Sequence, residues 1–96
     1  MENRLYLIDL YDIYGDLLTD KQKEYFKDYY FDNLSLSEIS ENNSISRNAV
    51  FKQIKDAEEK LKHFEDVLNI YEKNKRIKKI CDTLNEEVKD KILDIL

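Results

Sequence analysis

The chain has 96 residues, 42% hydrophobic and 39% charged, with no proline, one glycine, one cysteine and a formal net charge of −5 at pH 7. That length fits one domain, and the lack of proline and near-lack of glycine among many Lys, Glu, Leu and Ile residues predict an all-α fold. A lone Cys81 excludes an internal disulfide, and no signal peptide or apolar stretch long enough to span a membrane is read, so a cytoplasmic protein without a membrane partner is expected.

The elements follow in chain order. Tyr6, Leu10, Ile13 and Leu17 recur at helical spacing, predicting a helix over Asn3 to Tyr14 that Gly15 stops in a left-handed conformation. Thr19 and Gln22 have the Ser/Thr-x-x-Glu/Gln spacing of a capping box and open a second helix through Tyr25, Phe26, Tyr29 and Tyr30, ended near Asp32-Asn33. Ser35 and Glu38 repeat that box ahead of Leu36 and Ile39, for a short helix to about Glu41. After the polar run Glu41-Asn42-Asn43-Ser44, Ser46 caps a fourth helix, apolar through Ala49, Val50, Ile54 and Ala57. Its other side is cationic through Arg47, Lys52 and Lys55, and Arg47 to Lys55 contains no acid.

That fourth helix has no evident stop. Val50, Ile54, Ala57, Leu61, Phe64, Leu68 and Tyr71 alternate four and three apart, a heptad pattern. So long a seam predicts that Leu61, Phe64, Leu68 and Tyr71 face a second subunit. The run Lys73 to Lys79 then carries five cations and no acid. Apolar positions resume at Ile77, Ile80, Cys81, Leu84, Val88, Ile92 and Ile95. Thr83 and Glu86 read as a third capping box, with a terminal helix from about Leu84; the alternative is a fraying end. The chain divides into residues 1–72, a helix-turn-helix unit running into a long helix, and 73–96, a basic segment with a terminal helix.

A short helix, a tight turn and a second helix with a polar face are what a helix-turn-helix needs to place side chains in a major groove. Ser46, Arg47, Asn48, Phe51, Lys52 and Lys55 are the candidate DNA-binding residues. Arginine pairs bidentately with guanine, asparagine with adenine, and lysines contact phosphates. Phe51 is expected to pack at a helix interface rather than touch a thymine methyl. Lys73, Lys75, Arg76, Lys78 and Lys79 form either a solvated face or a phosphate-binding patch. The acidic balance opposes a general nucleic-acid coat but permits salt-sensitive binding through such faces. His63 is expected to be exposed, Cys81 to be a small buried residue, and the seven tyrosines to be core with hydroxyls at the rim. A glycine-rich phosphate loop, paired Cys and His ligands, and a nucleophile with a base are all lacking, so neither an enzyme nor a cofactor is expected.

Leu18 to Leu61 resembles region 4 of bacterial sigma factors. The resemblance rests on Leu18-Thr19, on Leu36-Ser37-Glu38-Ile39, on Ile45-Ser46 before the recognition helix, and on Val50 with Ala57 and Leu61. The whole chain, including LYDIYGDLLTDKQKEYF and NIYEK, resembles more specifically the YlxM-like family. Those are small helix-turn-helix proteins encoded beside the signal recognition particle GTPase or its receptor. That resemblance implies an all-α helix-turn-helix bundle with a long C-terminal helix extension and no wing. It also implies a DNA-binding regulator tied to the signal recognition particle pathway. Where sigma-like turns have an apolar residue and then glycine, this chain has Asn43 and Ser44, so Asn43 is expected to take the left-handed conformation.

Double-stranded DNA and a second copy of the chain are the expected partners. The rival is an accessory factor that binds the particle's RNA or protein on an inherited scaffold. A third reading is an adaptor that contacts RNA polymerase through the sigma-like surface.

Overall fold

The computed structural model describes residues 3–96, so the first two residues of the 1–72 unit lie outside the described residues. Six α-helices follow in order: α1 (Asn3–Tyr14), α2 (Asp20–Tyr30), α3 (Leu36–Asn43), α4 (Arg47–Leu68), α5 (Ile70–Cys81) and α6 (Glu86–Leu93). A single 3-10 turn, Gly15–Leu17, joins α1 to α2, and there is no strand among the described residues. The fold is the all-α helix-turn-helix bundle that the sequence predicts.

Local chemistry sets most helix starts. The Thr19 and Ser35 hydroxyls accept the Gln22 and Glu38 N–H groups, and both side chains at those third positions accept back from the cap N–H, completing two capping boxes. Ser46 Oγ accepts the Ala49 N–H at 3.1 Å and starts α4. The third expected box does not form. Asn85, not Thr83, caps α6 by accepting from the Val88 N–H, while the Thr83 hydroxyl donates to the Ile80 carbonyl. With two capping residues two positions apart, the chain spends Thr83 on closing α5 and starts α6 later.

Gly15 also differs from expectation: it does not have a positive φ. A side chain there would bring a Cβ to 3.0 Å from the Tyr11 ring, so glycine is needed for close approach. The left-handed positions are Asn33, Ser44 and Asn69.

Two packed clusters share α4 as their spine. Leu7, Leu10 and Tyr14 of α1, with Leu18 and Phe26, close over Ala57 and Leu61. Tyr25, Ile39, Val50 and Ile54 form the second, which fastens α3 to the first turns of α4. Phe26 lies at the centre, fully buried and stacked on Tyr11 at 4.7 Å and Tyr30 at 4.4 Å. At the rim, Arg4 donates to the Tyr30 carbonyl and to Asn33 Oδ1, both at 2.7 Å, tying α1 to the end of α2. The Tyr30 hydroxyl donates to Glu58 at the half-buried rim, as expected, whereas the Tyr14 hydroxyl is buried and donates to the buried Glu65, because that acid lies inside the bend after α4.

The heptad pattern has another cause than a subunit seam. Leu61 is fully buried inside its own chain, and Phe64 and Tyr71 pack on the same cluster. The helix itself breaks after Leu68, where Asn69 turns left-handed and donates to the Glu65 carbonyl at 2.7 Å. Of the four expected seam residues only Leu68 is open, 43% exposed. An in-chain partner at α1 reads the same three-four spacing as a second subunit would.

The break is held by an acid. Glu65, 6% exposed, accepts from the Tyr14 hydroxyl at 2.6 Å and from the N–H groups of Tyr71 at 2.9 Å and Glu72 at 3.1 Å. The Tyr14 oxygen accepts in turn from the Ile70 N–H at 3.1 Å. Three of the four N–H groups that α5 cannot satisfy by itself are thereby met, with a carboxylate at the positive end of its dipole.

Beyond this joint α5 and α6 form an arm, and its buried residue is Cys81. The radius of gyration, 16.6 Å, exceeds the roughly 12.5 Å of a compact chain of this length because of that arm.

Candidate nucleic-acid interface

The α3–turn–α4 unit is fixed from below. Ile39 of α3 and Val50 of α4 are both fully buried in one cluster. The turn between them is closed by Ser44, at φ 53° and ψ 41°, and by the Ile45 N–H donating to the Ser40 carbonyl at 3.2 Å. The left-handed residue is thus Ser44 and not Asn43. Asn43 stays helical and its Nδ2 donates to the Ile39 carbonyl at 2.8 Å, which occupies the side chain that was expected to ease the turn. Ile45, two positions after Asn43, is the apolar residue at this turn that packs on the second cluster.

With Val50, Ile54 and Ala57 inward, the opposite arc of α4 faces solvent. Ser46, Arg47, Asn48, Phe51, Lys52 and Lys55 are all exposed. At 3.6 residues per turn, the last five fall on an arc of about 140°. Phe51 is 55% exposed on this arc, so it does not pack at a helix interface as the sequence reading had it. The reason is geometric: one turn after Arg47, it lies on the solvent side that the burial of Val50 and Ile54 defines. Ser46 is committed to its cap on the Ala49 N–H, which leaves the Arg47 and Asn48 N–H groups of the first turn open to an acceptor.

Charge sharpens this face. The ion pairs among the described residues use Lys21, Lys23, Lys89 and Lys91, so Arg47, Lys52 and Lys55 have no acid partner there. Glu38 and Glu41 of α3 are also exposed, so α3 presents acids where α4 presents cations.

The second cationic group sits on the arm. Lys73, Lys75, Arg76, Lys78 and Lys79 are all exposed on α5, likewise without an ion pair among the described residues. Lys75 lies 5.9 Å from the Tyr71 ring centre. The structure therefore separates the two cationic sets, one on the recognition helix and one beyond the Glu65 joint. Glu65, which sequence reasoning missed, aims the second set: it holds the first turn of α5. The available signal was Asn69, a residue tolerant of left-handed backbone at the point where the apolar pattern loses register.

His63 is exposed as expected, its ring 6.4 Å from Phe64. There is no group of three or more potential metal ligands among the described residues. Among the described residues no helix is long and apolar enough to cross a membrane.

A family model described as "Putative helix-turn-helix protein, YlxM / p13 like" (UPF0122) matches residues 1–95. Similar curated proteins include a UPF0122 protein of Clostridium kluyveri, 44% identical over 100 residues, covering 100% of this chain and 90% of the relative. Another, from Ureaplasma parvum, is 45% identical over 93 residues, 96% of this chain and 94% of the relative. A third, from Fusobacterium nucleatum, is 42% identical over 81 residues, 84% of this chain and 79% of the relative.

Proposed function

Because the chain belongs to the YlxM / p13-like helix-turn-helix family, we propose that it is a cytoplasmic, non-enzymatic DNA-binding regulator that acts as a homodimer. The observation that carries this reading is the solvent-facing arc of α4. There an arginine, an asparagine and two lysines stand without acid partners on a helix anchored by α3. Arg47 and Asn48, in the first turn, read base edges; Lys52 and Lys55 contact phosphates; Phe51, exposed between them, meets a thymine methyl or a sugar. The resemblance to YlxM-like proteins ties the regulated process to the signal recognition particle pathway.

The test is binding of the purified chain to its own upstream DNA at low and moderate salt. Saturable, sequence-dependent binding is expected. Arg47→Ala costs about 1–3 kcal/mol and relaxes specificity at one base pair. Lys52→Ala weakens binding to all sequences alike and lowers the salt slope by about one. Binding that is indifferent to sequence, or unchanged by both substitutions, overturns the reading.

One observation favours a second reading, an accessory factor for the particle's RNA. The cations of α5 are as open as those of α4 and sit apart from the helix-turn-helix. A structured RNA read by shape and phosphates would engage such a face. Lys75→Ala with Lys78→Ala would then abolish RNA binding while Arg47→Ala leaves it intact.

A further inference from the structure

We infer that the arm, α5 with α6, is the dimerisation surface, packing against the arm of a second copy as a four-helix bundle. This deepens the homodimer proposed above and is independent of which nucleic acid the helix-turn-helix reads.

The first observation is incomplete burial. α6 has eight residues and buries none of them. A helix that short has almost no stability by itself in water. Yet the arm leaves Ile80 63%, Leu84 37%, Val88 41% and Ile95 84% exposed. Val88 and Ile92 fall at i and i+4 on one stripe of α6, and Ile95 follows in the turn just past its end. On α5 a shallow, open hollow lies between Arg76, Lys79, Ile80 and Thr83, a face of the arm that leaves Ile80 uncovered.

Charge names the occupant. α5 carries five cations against one acid, Glu72, whereas residues 82–94 carry five acids against two lysines. Among the described residues no ion pair joins these two sets: Lys89 to Asp82 and Lys91 to Glu87, both at 3.5 Å, lie within residues 82–94 and use none of the five α5 cations. Helix dipoles account for Glu86 and Glu87 in the first turn of α6 and for Lys78 and Lys79 in the last turn of α5. They do not account for Lys73 and Lys75 in the N-terminal half of α5, nor for Asp90 and Asp94 near the C-terminal end of α6. Those exposed charges oppose their own helix dipoles, a cost that opposite charges from a second arm would offset.

A second arm supplies it. Around a two-fold axis the four helices alternate α5, α6, partner α5, partner α6, so every basic helix lies between two acidic ones. The apolar stripe of each α6 then faces the Ile80 hollow of the other copy. The arrangement is self-complementary, as a two-fold interface must be.

The test is the mass of the full chain by light scattering without nucleic acid, on three variants. Ile80→Asp with Val88→Asp removes the apolar contact, and a monomer is expected. Arg76→Glu with Lys79→Glu, and separately Glu87→Lys with Asp94→Lys, put like charges face to face; each weakens the dimer at least tenfold at low salt. Mixing these two charge-reversed chains restores opposite charges at both contacts, and a heterodimer is expected. All six positions are exposed, and unchanged helical content by circular dichroism confirms that each chain still folds. A wild-type chain that stays monomeric at high concentration overturns this inference and the homodimer together, leaving the arm to another partner. A wild-type dimer that none of the substitutions affects overturns the arm alone.

Discussion

The compact part, α1 to α4, and the arm, α5 and α6, are built from similar residues and stabilised in opposite ways. In the first, Leu10, Phe26, Ile39, Val50, Ala57 and Leu61 are fully buried around one shared helix. In the second, caps and one buried acid do most of the work: Glu65 starts α5, Asn85 starts α6, and Cys81 is buried. The contrast teaches that helical pattern and helical stability are separate matters. α5 and α6 are as amphipathic as their neighbours, but Ile80, Leu84 and Val88 on or between them stay exposed.

The sharpest way to break the comparison is to attack the shared centre. Phe26→Ala is expected to cost about 3–5 kcal/mol, enough to unfold the compact part, read as a lowered midpoint in urea. A small shift there would mean that the two clusters do not depend on one another. Next comes the joint. Glu65→Ala strands the Tyr14 hydroxyl and the Tyr71 and Glu72 N–H groups, with an expected loss of about 1–3 kcal/mol. Hydrogen exchange should accelerate at Tyr71 and Glu72 first, with Leu10 and Val50 still protected. Equal acceleration everywhere would make arm and core a single cooperative unit.

Ser35→Ala, which opens one capping box on the helix-turn-helix, should cost about 1 kcal/mol and lower α3 helicity. Smallest of all, Val88→Asp should change monomer stability by less than about 0.5 kcal/mol, as exposed substitutions do, while altering association.

Alkali sharpens the contrast again, because the buried phenols belong mostly to the compact part. Burial first, and the nearby Glu58 carboxylate next, raise the Tyr30 pKa well above the ordinary 10.0. Burial similarly raises Tyr6, Tyr11 and Tyr14. A raised phenol pKa means the folded state prefers the protonated form, so its contribution is complete below about pH 10 and declines as pH rises further. Unfolding midpoints should therefore fall above pH 10, and Tyr30→Phe should flatten the decline.

How much was legible in the sequence follows the same division. Signals that act within one turn were readable: the Thr19 and Ser35 boxes, the Ser46 cap, and the inward set Val50, Ile54 and Ala57. Signals that need a distant partner were not. Leu61 and Tyr71 have a heptad spacing whose partner is α1, and the spacing alone is blind to whether the partner belongs to the same chain. Glu65 reads as one more surface acid because its partners, Tyr14 and the start of α5, meet only after the bend. Between neighbours of equal chemistry, Asn43 against Ser44 and Thr83 against Asn85, local propensity had no means to choose.

Cys81 gives the arm a clock. It is the single thiol of the chain, 1% exposed at the end of α5. A thiol reagent can reach it only when this end of the arm opens, and the labelling rate then counts those openings directly, unblurred by other cysteines. Opening of the arm around Cys81 becomes a chemical signal that can be followed in the intact protein, with added DNA or RNA, without a single engineered residue.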